Sequence, residues 1–373
     1  MTTVRDVCNA LKAIAPLQLA KDWDNVGLLV GDETAEIRRV ITCLTLTYEV
    51  AAEAVSTGAG LIVTHHPILF KPVKRITANN AEGKTLLLLI RHGIAVYSSH
   101  TAWDNSLSGI NQQLAQLLEL EEIKPLRARA PADQVKIVTF VPQPQLDQVR
   151  DAIWNSGAGV IGNYQKCSFN LSGTGTFYGS DASNPVVGQA GRLEQVEEVR
   201  LEVVCSSELL ERALTALRLT HPYEEPAVDI YPLKSPSDGG GSGRIGTLET
   251  PTTLDVLNRR VAKVLRQPYV QFVGDPKLIV ARVGIACGAA AEFLRDARRA
   301  DCQAFLTGEA RFHSCLEARE YGIGMILPGH YATERFAMET LAERLNQEFP
   351  EIAVTASEHE QDPLCLAPTA DPV

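Results

Sequence analysis

LIVTHHPILF, residues 61 to 70, decides the reading of this chain. Apolar and β-branched residues lead into two adjacent histidines, and Pro67 ends the regular backbone, so a strand delivers His65 and His66 to its end. Taken alone, such a pair is as readily two polar loop residues as two metal ligands. Three further stretches end an apolar strand in similar company: AVYSSHTAWD at 95 to 104, AFLTGEARFH at 304 to 313 and MILPGHYATE at 325 to 334.

Around the histidine strand, strand and helix patterns alternate. RRVITCL at 38 to 44 predicts a strand, Glu49 to Val55 a helix stopped at Gly58, and IAVYSS at 94 to 99 a strand between helices at 82 to 92 and 107 to 118. This alternation predicts a mostly parallel sheet with helices on its faces. Upstream, Val4, Val7, Leu11 and Ile14 mark one face of a helix that ends at Pro16. DWDNVGLLVGD at 22 to 32 follows, a short apolar segment bracketed by turn residues, read as a structural turn packed beneath Trp23 or as part of a site.

From Pro131 the texture changes. Strand patterns at 136 to 141, 199 to 205 and 227 to 233, with helices at 146 to 157 and 207 to 222 and a glycine-rich meander to about Gly191, predict an inserted ferredoxin-like module. SPSDGGGSGR at 235 to 244 reads as its exit boundary. The first texture then returns, with strands near 269 to 273, 279 to 286, 304 to 308, 325 to 329 and 352 to 356 and a long helix from about Tyr331 to Leu345. The expected architecture is a discontinuous α/β domain of residues 1 to 125 and 245 to 360, an insert at 130 to 235 and a flexible tail at 361 to 373, with structure ending near His359.

The 373 residues, 45% hydrophobic, suffice for one large core or two modest ones. A formal charge of -10 offers no general attraction to a phosphate backbone, so nucleic acid is not an expected partner. Eight cysteines without CxxC spacing read as small buried hydrophobes in a reducing compartment, and no segment has the length and apolarity of a membrane span or signal peptide, so a cytoplasmic protein is expected. GxGxxG after a strand, GxxxxGK[ST] and GxSxG are all absent.

His, Asp and Glu suit borderline or hard divalent ions. His330 and Glu334, four apart at a helix start, share a face and serve either as a ligand pair or as a helix ion pair. Asp104, four after His100, is either a turn cap or a carboxylate bridging two ions. Residues beyond the carboxyl ends of parallel strands gather in one crevice, and adjacent histidines point in different directions, which suits two neighbouring metals.

With DWDNVGLLVG, SSHTAWDNSLSGINQQLA, HPYEEPAVDIYPL and GHYATE added to the histidine strand, the chain resembles the NIF3-like family from about residue 2 to 358. Members are also called dinuclear metal-centre proteins or GTP cyclohydrolase 1 type 2 homologues. The resemblance implies a discontinuous mixed-sheet fold with a PII/CutA-type insert. It implies metal ligands at His65, His66, Asp104, His330 and Glu334, and two divalent ions per subunit drawn from Zn, Fe, Mn, Co or Ni. It also implies a hexameric ring with the metal sites facing an internal cavity and the insert over its openings. His100 falls on a motif histidine beside the site, expected to move protons or to hydrogen-bond within the core. Glu309 and His313 match a family segment that usually carries Asp at the first position, and either line the pocket or form a turn and helix start.

Two departures stand out. Thr45 replaces a usual aspartate, and Ala289, Ala290 and Ala291 stand where a Gly-Gly-Ser-Gly turn is common, stiffening the backbone there. In the insert, His221, Glu224 and Glu225 form either a secondary metal or small-ligand site, or a turn shaped by Pro222 and Tyr223 with solvated acids. The function expected is a metal-dependent hydrolase of a phosphoester or C–N bond with an unknown small-molecule substrate. A non-enzymatic metal-binding regulator, with the insert as sensor or docking lid, is the alternative.

Overall fold

The computed structural model describes residues 1–129, 133–162, 164–234 and 240–365. The chain forms two compact units, Met1–Arg129 with Gly239–Val373, and Ala130–Asp238. The first five residues of the expected exit segment, 235–239, and residues 366–373 of the expected tail lie outside the described residues.

The larger unit holds mixed sheets, as the family resemblance implied, where the strand and helix alternation alone predicted a mostly parallel one. The first runs Gly27–Val30, Ala95–Ser98, Leu61–His66, Arg39–Thr45, Ala353–Ala356, with only Gly27–Val30 antiparallel to its neighbour. The second runs Gln271–Val273, Gly324–Leu327, Ala304–Thr307, Ile279–Ala286, Arg244–Thr253, Leu120–Lys124, parallel only across Gly324–Leu327, Ala304–Thr307 and Ile279–Ala286. Strand Arg244–Thr253 escaped the sequence reading because TLETPTT lacks an apolar alternation and carries Pro251, which demotes a strand pattern.

Both faces of the histidine strand are covered, which is why it reads as a continuous apolar run. Leu61 and Val63 pack with the Val4–Ile14 helix and with Ala337, Met338 and Leu341 of helix His330–Glu348, while Ile62 packs with Val50, Ala54 and Leu89 of helices Tyr48–Thr57 and Ala81–His92. Helix His330–Glu348 serves both sheets: Ala337 to Leu345 belong to the core of the first, Ala332 to that of the second. Its first turn therefore starts beside the carboxyl ends of parallel strands from both sheets. Among the described residues, no helix is long and apolar enough to cross a membrane.

The smaller unit is a four-stranded antiparallel sheet in the order Val228–Leu233, Gln134–Pro142, Leu193–Ser206, Phe169–Tyr178. In chain order this is 4-1-3-2, the split βαβ arrangement of ferredoxin-like modules. Helices Leu146–Asn155 and Leu210–Thr220 share one core with the sheet. Part of the expected meander is a strand instead, Phe169–Tyr178, whose FNLSGTGTFY composition hides it: two glycines interrupt the apolar face. Structure also persists past His359, because Glu360 is buried, accepting the N–H groups of Leu44 and Thr45 and pairing with Arg335 at 2.8 Å.

Candidate metal centre

Side chains alternate along a strand, so His65 follows Leu61 and Val63 toward one layer and His66 follows Ile62 and Thr64 toward the other. His65 is 2% exposed, and both of its ring nitrogens are buried without a hydrogen-bond partner. Its Nε2 lies 3.6 Å from Asp104 Oδ1. Asp104 arrives on a short helix, His100–Asp104, where a turn was expected; the helix sets Asp104 one turn beyond His100. His66 Nε2 lies 3.2 Å from Glu334 Oε2, and His330 Nε2 lies 3.0 Å from the same oxygen.

Four of the five expected ligands thus present buried polar atoms without a well-formed hydrogen bond, His65 Nδ1 and Nε2, Asp104 Oδ1, His330 Nε2 and Glu334 Oε2, of which His330 Nε2 and Glu334 Oε2 meet only as an ion pair at 3.0 Å. Orphaned buried groups are rare in native proteins, and several converging on one place call for an ion. Two candidate metal-binding clusters result, His65 with His66 and His100, and His66 with His330 and Glu334. Imidazole and carboxylate donors of this kind admit Zn, Fe, Mn, Co or Ni, and the clusters leave the choice among them open. The shared His66 places the two clusters side by side, and His100, expected as a proton carrier, stands within one of them.

Burial and the charge of Glu334 push the Asp104 carboxyl well above the usual carboxylate range. Burial also pushes Glu334 upward, but the adjoining His330 and His66 imidazoles outweigh it and hold that carboxyl well below its usual value. His330, with Glu334 close beside it, is pushed up to about 9, whereas burial drives His65 well below the ordinary imidazole range.

The remaining nitrogens of three histidines are fixed by partners, as ligand imidazoles are when oriented from outside the metal shell. His66 Nδ1 is 2.8 Å from Thr45 Oγ1, His330 Nδ1 is 3.2 Å from Glu309 Oε1, and His100 Nδ1 is 2.7 Å from Asp24 Oδ1. Thr45, the departure from the family pattern, thus still supports His66, and the neighbouring carboxylate on that backbone is Glu360. Asp24 also accepts the Thr101 N–H and hydroxyl, and its buried side chain holds His100 at a φ of 27°, a left-handed backbone uncommon for histidine.

Asp24 escaped the sequence reading, which placed the weight of DWDN on its tryptophan. Trp23 in fact is 61% exposed and meets the rings of Phe70 and His100 edge-on. The paired acids around it were the available signal.

Gly288 is the second residue missed. Its φ is 70°, and a Cβ there would come within 2.2 Å of Glu334 Oε1, so the cradle beneath the carboxylate exists only because position 288 has no side chain. Ala289, Ala290 and Ala291 all avoid positive φ, so the alanine departure leaves the one demanding position intact. His313 sits exposed at the start of helix Phe312–Glu320, its one ring contact being with Phe312, and joins neither cluster. In the insert, His221 is a strut: Nε2 faces the Phe140 carbonyl at 3.1 Å and Nδ1 accepts the Tyr223 N–H at 3.1 Å, leaving no lone pair for a metal.

Residues 2–363 match the family model of Duf34/NIF3 (NGG1p interacting factor 3). The GTP cyclohydrolase 1 type 2 homolog of Halalkalibacterium halodurans is 35% identical over 89% of this chain and 89% of its own length. That of Mycobacterium tuberculosis is 36% identical over 88% and 87%. Among solved structures, the Bacillus cereus protein related to NIF3 superposes with a TM-score of 0.69 at 31% identity, covering 98% of this chain and 99% of that one. Staphylococcus aureus protein SA1388 gives 0.74 at 28% identity with the same coverage. On the family match along nearly its whole length and on these relatives, the chain belongs to the Duf34/NIF3 family.

Proposed function

We propose that this chain is a dinuclear metal-dependent hydrolase that cleaves a phosphoester or C–N bond of a small molecule. The observation that carries the reading is the set of orphaned donor atoms on His65, Asp104, His330 and Glu334, gathered with His66 at strand ends of both sheets. His65, His66, Asp104, His330 and Glu334 would hold two divalent ions. Bound there, the ions supply Lewis acidity toward the substrate and lower the pKa of an attacking water.

The protein's own residues complete the chemistry. His100 receives or returns a proton at Nε2, while Asp24 keeps Nδ1 occupied and the ring aimed at the cluster. Thr45 and Glu309 hold His66 and His330 in orientation. Relatives carry the name GTP cyclohydrolase 1 type 2 homolog; for this chain the reading stops at the hydrolase class, since no purine-binding motif accompanies the site. A hexameric ring belongs to this proposal, as does a PII/CutA-like insert, the latter supported by its 4-1-3-2 strand order. A metal-binding regulator is the second reading, favoured by a cavity in the inserted unit.

Turnover separates the two. Metal-reconstituted protein screened against phosphoesters, nucleotides and cyclic amides is expected to show chelator-sensitive hydrolysis that is absent from His330→Ala. Retention of both metals with no hydrolysis in any class would favour the regulator.

Metal removal has a thermodynamic signature independent of turnover. Ions that bind the folded state alone stabilise it by about 2.7 kcal/mol at a hundredfold excess over Kd. Chelator-stripped protein is therefore expected to unfold at lower temperature and to recover on addition of zinc or manganese. An identical melting curve with and without metal would refute the site.

A further inference from the structure

The His66–His330–Glu334 cluster is built from two elements: His66 ends strand Leu61–His66, while His330 and Glu334 open helix His330–Glu348. Its geometry therefore depends on how the start of that helix is set against the strand ends of the first sheet. The segment that follows strand Ala353–Ala356 runs between the two. The ladder between Ala353–Ala356 and Arg39–Thr45 stops where Ala356 meets Thr42. Ser357 extends it by one N–H to the Thr42 carbonyl at 2.8 Å, and Glu360 then takes the last N–H groups of the neighbouring strand, Leu44 at 2.9 Å and Thr45 at 2.5 Å. Thr45 is the register partner of His66, and its hydroxyl is the group on His66 Nδ1.

On its other side the same segment grips the helix at the two residues that adjoin ligands, Tyr331 after His330 and Arg335 after Glu334. Glu360 Oε2 pairs with Arg335 Nε at 2.8 Å, the Glu360 carbonyl accepts the Tyr331 hydroxyl at 3.2 Å, and the Ser357 carbonyl accepts Arg335 Nη2 at 2.8 Å. The Glu360 side chain is 3% exposed, and a buried carboxylate holds its partners in place because leaving it or them unpaired is costly. Among the described residues, none of the hydrogen bonds or ion pairs of segment 357–360 reaches His65, His100 or Asp104, whose partners lie elsewhere. Glu53 secures the segment from a different side, accepting the Ser357 hydroxyl at 2.5 Å and the Glu358 N–H at 2.9 Å, but its helix, Tyr48–Thr57, supplies no ligand.

We infer that Glu360 is a positioning residue for the His66–His330–Glu334 cluster, fastening the first turn of helix His330–Glu348 to the strand end that bears Thr45. The ion site at His65 and Asp104 stands without it. This rests on the dinuclear reading above and not on hydrolysis.

Cobalt(II) titration of the metal-free full chain, followed by visible absorption, reads the two ions without turnover. The Glu360→Gln change keeps the side chain's size but leaves one acceptor oxygen where two N–H groups need one each. It is expected to weaken one of the two cobalt ions about tenfold or more, the range for groups that orient ligands from outside the metal shell, to alter the d–d spectrum of that ion and to leave the other within about twofold. In a Glu334→Ala background, where that site is already broken, Glu360→Gln is expected to leave the remaining ion unchanged. Glu53→Gln, which loosens the same segment away from the ligands, is expected to lower the melting temperature with both cobalt affinities kept. Equal weakening of both ions by Glu360→Gln, weakening of neither, or the same cobalt effect from Glu53→Gln overturns the inference. Should Glu360→Gln fail to fold, Arg335→Gln, which removes the partner of Glu360 on the helix, is judged by the same criteria. Fewer than two cobalt ions on the wild-type chain would refute the dinuclear reading, and the inference with it.

Discussion

Glu334→Ala is expected to weaken metal binding at least about 100-fold and to leave at most one ion per chain, because it removes a ligand and not merely a group that orients one. Its carboxylate is 4% exposed and stands within ion-pair distance of both His66 and His330. No neighbouring side chain is placed to substitute: Glu309 lies on the far nitrogen of His330, and Asp104 lies on the His65 side. Metal analysis after dialysis reads the loss directly, and turnover, where a substrate is found, should fall with it. His65→Ala and Asp104→Ala are expected to lose at least one ion in the same assay. Unchanged stoichiometry in Glu334→Ala, with the variant folded by circular dichroism, would reject the assignment of this cluster.

Arg244→Met is expected to destabilise the larger unit by about 3–5 kcal/mol, because it leaves several buried acceptors without a donor at about 1–3 kcal/mol each. Arg244 is completely buried at the start of strand Arg244–Thr253, yet among the described residues no carboxylate forms an ion pair with its guanidinium. Four neutral acceptors take its protons instead: Gln112 Oε1 at 2.8 Å, the carbonyls of Gly241 and Gly243 at 2.8 and 2.7 Å, and the Ser106 carbonyl. Burial lowers its pKa to about 10, still high enough to keep it charged at neutral pH. Methionine fills a similar volume but strands those acceptors. Denaturant titration with the metal site stripped isolates this effect. A shift under 1 kcal/mol would show that the acceptors find other partners at little cost.

These two residues mark what the sequence could and could not disclose. His65, His66, His330 and Glu334 were legible because each ends or follows a parallel strand, and parallel strands announce themselves as apolar runs with polar residues at their carboxyl ends. Asp104 needed the family resemblance, since in TAWDN an aspartate reads equally as a turn cap. Asp24, Glu360 and Gly288 were hidden for a different reason. Their importance lies in what they touch across long sequence separations, and neither spacing nor periodicity carries that. Arg244 was hidden too, because an arginine following GGGSG looks like the polar end of a linker. The second sheet was missed where proline and charge broke alternation, and strand Phe169–Tyr178 where glycine did; in both, pairing with strong neighbours overrides weak local preference.

Helix His330–Glu348 and strand Ala353–Ala356 carry a consequence for how the protein is made. Ribosomes deliver His65, His66 and Asp104 early, then require roughly 220 more residues, about 10–45 s of synthesis, before His330 and Glu334 emerge. Through that interval the flank of strand Arg39–Thr45 that Ala353–Ala356 later covers has no partner, and an open parallel edge invites pairing with other nascent chains. Metal loading and edge protection thus wait on the same stretch of the chain. A chain cut short before Ala353 loses its shield before it has had the chance to use its site.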